Sequence, residues 1–295
     1  MTEAESSELF RRTTLEPGLH LVATPIGRAR DITLRALDTL ASADVLVAED
    51  TRVLRRLMEI HGISRGGRPL FSYHDHNGAA QRPRLLGLLA DGKSLAYACD
   101  AGTPLVADPG FQLARAALDA GHDVHAVPGP SAALAALSVA GMPTDRFFFA
   151  GFPPSAAGAR RTWLQEVAAV DATLVVFEAG RRVAALLNEV ADLGHAARRV
   201  ALCRELTKRF EEIQRGRVCD IAQDTQDAAP KGEVVVVFEP PQRTEMSQAD
   251  VVHALERALQ SKPLKDAAAQ VAAESGWRKR NIYQLGLELM GKRGG

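Results

Sequence analysis

Ser94-Leu95-Ala96-Tyr97-Ala98-Cys99-Asp100-Ala101-Gly102-Thr103-Pro104-Leu105-Val106-Ala107-Asp108-Pro109-Gly110 is the stretch that decides the fold. Ser94–Cys99 is a short, largely apolar run of strand length, and Phe111–Ala120 beyond the loop carries a helical pattern. A buried strand that passes into a helix through such a loop is the repeating unit of a parallel sheet. The loop then lies at the strand's carboxyl end, where open α/β sheets bind their ligands. Its Gly residues permit close backbone approach and its Pro residues fix the path, so it is shaped for contact. A plainer role for Asp108 is to cap a helix starting at Pro109.

The same grammar repeats on either side. Leu19–Ala23 ends in Thr24-Pro25-Ile26-Gly27, after which Asp31 and Thr33 open a helix with Ile32, Leu34, Leu37 and Leu40 at helical spacing. Asp44–Ala48 runs into Glu49-Asp50-Thr51-Arg52, where Asp50 or Thr51 can cap a helix over Arg52–His61. Pro69–Tyr73 ends in His74-Asp75-His76-Asn77, with Asn77 placed to cap the helix that follows. Asp123–Val127 leads through Pro128-Gly129-Pro130-Ser131-Ala132-Ala133 into a helix of Ala and Leu. Five such strands predict an N-terminal α/β domain over residues 18–140, a parallel sheet with helices on both faces. Residues 1–17 are polar and aperiodic and read as a flexible tail. No loop carries GxGxxG or GxxxxGK[ST], which excludes the dinucleotide fingerprint and the P-loop.

Beyond Met142-Pro143-Thr144-Asp145 the pattern changes. Strand-like runs fall at Arg146–Phe152, Ala172–Glu178, Arg198–Glu205, Phe210–Gln214 and Glu233–Glu239, with helical patterns at Gly158–Val170 and Arg181–Leu193. The third and fourth of these runs are too close for a parallel crossover. Residues 141–240 are therefore expected to be an α+β domain with a mixed sheet, and a cleft between the two domains is the expected ligand site. After Pro240-Pro241 come short helices at Gln248–Gln260, Leu264–Glu274 and Arg280–Met290. Residues 246–295 hold eight Lys and Arg against five Asp and Glu. Arg278-Lys279-Arg280, beside Trp277, enters the last helix, as in helix-turn-helix nucleic-acid modules. A helical cap on the second domain is the plain alternative.

Composition narrows the choice further. Across 295 residues Lys+Arg and Asp+Glu are equal at 36 each, so any polyanionic partner must be met by a local patch. Cys99, Cys203 and Cys219 are scattered without a CxxC pair, which argues against a disulfide framework or a zinc site. His74 and His76 alternate about Asp75, yet no third or fourth ligand is marked, so no metal is expected. Neither a signal peptide nor a long uncharged apolar window is present, which points to a cytoplasmic protein without a membrane span.

Taken in order, Thr24–Gly27, Asp31-Ile32-Thr33, Ala48–Arg52, His74–Asn77, Asp100–Pro104, Asp108–Gly110, Pro128–Ala132, Glu205-Leu206-Thr207-Lys208 and Lys231-Gly232-Glu233 resemble the tetrapyrrole-methylase-type (class III) S-adenosylmethionine methyltransferases. The resemblance covers residues 18–240, and the Ala48–Arg52 and His74–Asn77 blocks are similar to those of the ribosomal RNA branch. It implies S-adenosyl-L-methionine folded in the interdomain cleft, a homodimer, and methyl transfer to the ribose 2′-oxygen of a cytidine in the decoding region of 16S rRNA, in the small ribosomal subunit. It also implies that Asp100, Gly102, Thr103 and Pro104 hold the cofactor with Pro25, Ser131 and Ala132. Phe177, Lys231 and Gly232 would close over it. Glu49, Asp50 and Glu205 are the candidate bases for the hydroxyl, and Arg52 and Lys208 the candidates for gripping phosphate. A tetrapyrrole methyltransferase of the same fold and a non-catalytic ribosome-binding protein are the alternative readings.

The chain departs from the family pattern in three places. Cys99 stands where Ser is usual, and Arg28 where Asn is common. Phe177-Glu178-Ala179-Gly180-Arg181-Arg182 stands where an aromatic-Glu-Ser-Pro-His-Arg run is typical, which leaves the roles of positions 179–181 open.

Overall fold

The computed structural model describes residues 9–106, 110–241 and 247–293; the cap expected of Asp108 and the first eight residues of the expected tail lie outside them. Residues up to Pro240 form one compact unit and those from Pro241 a second.

The first unit contains two sheets. In the first, β1 (Gly18–Val22), β2 (Val45–Ala48), β3 (Leu70–Ser72), β4 (Ser94–Ala98) and β5 (Val124–Val127) run parallel in the order β3-β2-β4-β1-β5. Every residue of β2 and β4 is buried, as continuous apolar strands covered on both faces must be. On one face α1 (Leu34–Ser42) and α2 (Thr51–Ile60) pack Leu37, Leu40, Leu54 and Met58 against Val22, Leu46 and Ala96. On the other, α3 (Gly78–Ala90) and α4 (Phe111–Asp119) pack Leu85, Leu89 and Leu113 against Leu19, Val47 and Tyr97.

Several local expectations are corrected. The first helix begins only after Thr33, whose hydroxyl accepts from the Ala36 amide at 3.1 Å, because Asp31 belongs to a separate 3-10 turn and Ile32 is extended. Asn77 occupies the N-cap position of α3 without capping it. Its carboxamide instead accepts from the His74 amide (2.9 Å) and donates to Ser72, which ties down the turn after β3. Residues 9–17 are not a free tail. Phe10 is buried in the core with Leu15 against it, and the amides of Arg11 and Thr13 donate to Asp38 (2.6 Å) and Ser42 (2.9 Å) along α1. Apolar burial of Phe10 and Leu15 together with these two bonds docks an otherwise polar strap.

The helix after β5, α5 (Ala132–Ala140), belongs by connectivity to the first sheet and by packing to the second. That sheet comprises β6 (Phe147–Phe149), β7 (Thr173–Ala179), β8 (Arg199–Arg204), β9 (Glu212–Arg217) and β10 (Glu233–Phe238), ordered β6-β7-β10-β8-β9. Only β6 and β7 pair in parallel, so the sheet is mixed. Ala133, Ala136, Leu137 and Ala140, one stripe at helical spacing, lie on Val175, Ala201, Val235 and Val237. Arg215 of β9 donates to the carbonyls of Val139 and Ala140, which the end of the helix would otherwise leave without partners. The opposite face is covered by α6 (Ala157–Val167), α7 (Val183–Val190) and α8 (Val218–Asp227).

The strand expected at Phe210–Gln214 lies instead at Glu212–Arg217, because residues 205–211 are consumed by a turn. The helix at Val218–Asp227 was not anticipated. Its buried residues Val218, Ile221, Ala222 and Thr225 have helical spacing, diluted by five Asp and Gln residues. In the second unit α9 (Gln248–Ala258), α10 (Leu264–Ser275) and α11 (Lys279–Arg293) enclose Val251, Leu255, Ala268, Val271 and Ile282. Among the described residues no helix is long and apolar enough to cross a membrane.

Ala136 is wholly buried where α5 meets the second sheet. Ala136→Leu is expected to cost about 1–3 kcal/mol by overpacking, read as a lower urea midpoint.

Candidate active site in the cleft between the two sheets

Three strand-end loops are bonded into one wall. The Thr24 and Gly102 amides each donate to the other's carbonyl (2.8 and 3.0 Å), joining the loop after β1 to that after β4. The Thr24 hydroxyl donates to the Cys99 carbonyl (3.0 Å), and the Cys99 thiol to the Gly102 carbonyl (3.2 Å), so the Ser-to-Cys departure keeps a donor in place. The Thr103 hydroxyl reaches the Pro130 carbonyl at 2.9 Å, which brings in the loop after β5. Pro104 is buried and, like Gly102 and Thr103, is not among the residues that line the cavity between the two sheets. Ser131 accepts from the Leu134 amide at 3.5 Å at the start of α5, so that Ala132 faces the cleft.

The fourth loop, after β2, joins through Asp100, whose carboxylate accepts from the Asp50 amide at 3.0 Å. Asp50 caps α2 by accepting from the Arg52 amide (2.8 Å), and the Arg52 guanidinium forks onto both of its oxygens at 2.6–3.1 Å. These bonds hold the Asp50 carboxyl down to about 2, so it stays ionised and is poorly suited to accept a proton. Its geometry is that of a cap and ion pair, whereas Glu49 beside it lines the cleft.

The opposite wall comes from the second sheet. Glu205 and Thr207 both adopt positive φ (51° and 64°), conformations that cost non-glycine residues about 1–3 kcal/mol each. Three contacts hold this turn. Lys208 pairs with Glu205 Oε1 (3.0 Å), Glu211 accepts from the Thr207 amide (2.6 Å), and Arg28 donates from its amide and Nε to Thr207 Oγ1 (3.2 Å) and O (3.0 Å). Gly27 makes the approach possible, since a Cβ there would stand 2.6 Å from Lys208 Cγ. The Arg28 departure therefore fastens the first-sheet loop to the second-sheet turn.

Between these walls lies a cavity of about 340 Å³ that brings together Glu49, Asp100, Ala132, Phe177, Glu205 and Lys208 of the expected residues. Gly232 lies behind Glu205, where a Cβ would stand 3.0 Å from Oε1. Pro25 and Arg52 line an adjoining depression of about 490 Å³ that shares Asp100 with the cleft. Lys231 is not brought into the cleft; it lines a separate depression with Arg204 and Asp224. Sequence reasoning missed Ile26, Val106, Phe152 and the Glu233–Val235 stretch. Phe152, half exposed between Gly151 and Pro153-Pro154, was the most legible of these, since an aromatic in a Gly/Pro loop has no core to fill.

Gly180 resolves the third departure. A Cβ there would fall 1.9 Å from the Pro230 carbonyl oxygen, and the Gly180 amide donates to the Gly232 carbonyl at 2.7 Å. Neither a side chain nor a proline nitrogen could occupy that position against this turn. Among the described residues no cluster of three or more His, Cys, Asp or Glu is arranged to hold a metal ion.

This pair of sheets around a loop-walled cleft defines a methylase of the tetrapyrrole class: the family model described as "Tetrapyrrole (Corrin/Porphyrin) Methylases" matches residues 18–222. A second, described as "RsmI C-terminal HTH domain", matches residues 245–290. The chain is 45% identical over 276 residues to "Ribosomal RNA small subunit methyltransferase I" of Mesorhizobium japonicum, covering 93% of each. It is 40% identical to the protein of the same name from Pasteurella multocida, covering 92% of this chain and 96% of that one. The chain belongs to the ribosomal RNA small subunit methyltransferase I family. Among solved structures, uroporphyrin-III-C-methyltransferase from Thermus thermophilus matches 75% of this chain and 94% of its own, at 24% identity and a TM-score of 0.54, a likeness of fold.

Arg28→Ala removes the Nε hydrogen bond to the Thr207 carbonyl, keeping only the backbone amide bond, and so loosens a strained turn. It is expected to cost about 1–2 kcal/mol and to speed amide exchange at Thr207 and Lys208 while leaving β1 protected. Exchange as slow as in the wild type would mean that Arg28 does not hold the turn.

Proposed function

We propose that this chain transfers a methyl group from S-adenosyl-L-methionine to the ribose 2′-oxygen of a cytidine in the decoding region of 16S rRNA. The observation that carries the reading is the cleft in which Glu49 and Asp100 of the first sheet meet Glu205 and Lys208 of the second, in a chain of this family. The residues present suit the cofactor. The cavity is of small-ligand size, with Phe177, Ala132 and Val235 as apolar walls and Asp100 as a carboxylate at its rim. Asp100, the Gly102–Pro104 backbone, Ala132 and Phe177 would hold it, with Ser131 and Gly232 fixing the walls behind and Pro25 at the mouth. When bound, it supplies a methyl group on a sulfonium, open to in-line displacement.

The protein's part is then to position and to move a proton. The ribose hydroxyl is a weak nucleophile, and Glu205 or Glu49 is placed to take its proton; Asp50 is committed to Arg52 and to the start of α2. Lys208 pairs with Glu205 Oε1 and fixes the direction of its carboxylate. Arg52, with Arg55 and Arg56 on the solvent side of α2, offers cations to phosphate beside the adjoining depression. Arg278, Lys279 and Arg280, all exposed at the start of α11, offer a second set. A homodimer and a cytoplasmic setting belong to the same reading, the first from family resemblance and the second from the substrate.

Mass spectrometry of rRNA nucleosides from cells with and without the gene tests the activity. The expected result is loss of a single ribose methylation on a decoding-region cytidine, and an unchanged nucleoside profile would overturn it. Asp100→Ala is expected to weaken calorimetric binding of S-adenosylmethionine by about a hundredfold or more, as loss of a charged hydrogen bond does. Removal of residues 246–295 is expected to raise KM for small-subunit particles and leave cofactor affinity unchanged. A truncated protein of equal efficiency would make those helices a cap only.

A further inference from the structure

Glu178 and Arg182 are what survives, with the aromatic at 177, of the departed family motif, yet neither lines the cleft. Glu178 is almost wholly buried at the end of β7. Its Oε1 accepts from the Ala179 amide (2.7 Å) and lies 3.1 Å from Arg182 Nε, while Oε2 has no hydrogen-bond partner among the described residues. A buried carboxylate in this state depends on its arginine for charge balance. The other end of that arginine points elsewhere: Nη2 donates to the carbonyls of Pro153 (3.0 Å) and Pro154 (3.4 Å).

Those carbonyls belong to the loop after β6. One end of the loop is fixed where the Phe177 amide donates to the Gly151 carbonyl (2.9 Å). At the other end Arg160, paired with Glu189 at 2.5–2.9 Å, reaches the Ser155 carbonyl at 3.5 Å. Two prolines leave the loop few amides of its own with which to make bonds, so the guanidiniums supply the donors. Held between these points, Phe152 stands against Phe177 (centroids 5.5 Å apart, rings at 67°) and forms part of the cavity wall. Phe177 in turn packs on Phe149 at 4.8 Å.

We infer that Arg182, charge-balanced by Glu178, is a positioning residue that clamps the Gly151–Ser155 loop and so presents Phe152 as an aromatic wall to the bound methyl donor. The inference rests on the cofactor assignment above, and its test separates the two. Phe152→Ala, Arg182→Met, the two combined, and the charge-neutral pair Glu178→Gln/Arg182→Met are compared with the wild type. The readouts are calorimetric Kd for S-adenosylhomocysteine, and hydrogen exchange without ligand at the Phe177 amide, whose bond to the Gly151 carbonyl fixes the loop.

Phe152→Ala and Arg182→Met are each expected to weaken binding by about tenfold, and the double variant by no more than Phe152→Ala alone, since both act through one ring. In the Arg182→Met single variant and in the neutral pair the Phe177 amide should exchange at least about tenfold faster while those of α7 keep their protection. The neutral pair guards against misfolding, because it leaves no unpaired buried charge. Effects that multiply to about a hundredfold in the double variant would overturn the clamp. So would unchanged exchange of the Phe177 amide in the neutral pair. If the wild type fails to bind the ligand, the cofactor assignment falls, and the exchange data alone decide whether the clamp exists.

Discussion

The contact on which the rest of the structure depends is the packing of α5 on the second sheet. By sequence this helix is the return from β5, and an ordinary doubly wound fold would lay it back on the first sheet. Here its alanine stripe meets β7, β8 and β10, and Arg215 takes up its last carbonyls. Small side chains let helix and strands come close, so the two sheets are joined through one helix with its first turn in the gap between them. The cleft is the space left beside that joint. Its floor begins at Ala132, the first residue of the helix.

What fills the rim of the cleft is a set of polar groups already bonded to one another. Asp100 accepts from Asp50, Asp50 from Arg52, Glu205 from Lys208, and Thr207 from Arg28. Such a network leaves few degrees of freedom to be lost when a ligand enters, which suits a reaction whose barrier yields mainly to alignment. It also sorts the three acidic candidates at the rim. Asp50 serves structure, while Glu49 and Glu205 face the cavity from opposite sides.

The first sheet was almost wholly legible, because strands buried on both faces and closed by Gly/Pro loops leave a pattern that few other arrangements produce. β2 and β4 matched to within one residue. Reading failed where long-range contact overrode local sign. Phe10 turns a polar segment into a docked strap, the positive φ at Glu205 and Thr207 moves a strand two residues on, and the acid-rich α8 hides an apolar stripe of only three residues, Val218, Ile221 and Ala222. The site followed the same division. Strand-end residues could be named from spacing and resemblance, whereas Lys231 lines another depression and the loop that carries Phe152 is bonded to Arg182, 29 residues beyond Pro153. No local rule encodes either.

Gly180 carries one more consequence. Its bare Cα and its amide are both used by the 230–232 turn, which approaches until Pro230's oxygen occupies the volume a Cβ would need. A proline at this position would have neither the space nor the donor that the turn, as it stands here, requires. Positions 180 and 230–232 are therefore coupled in this chain. Grafting the common proline into this chain alone would be incompatible with the turn, so a change at position 180 calls for a compensating change at 230–232.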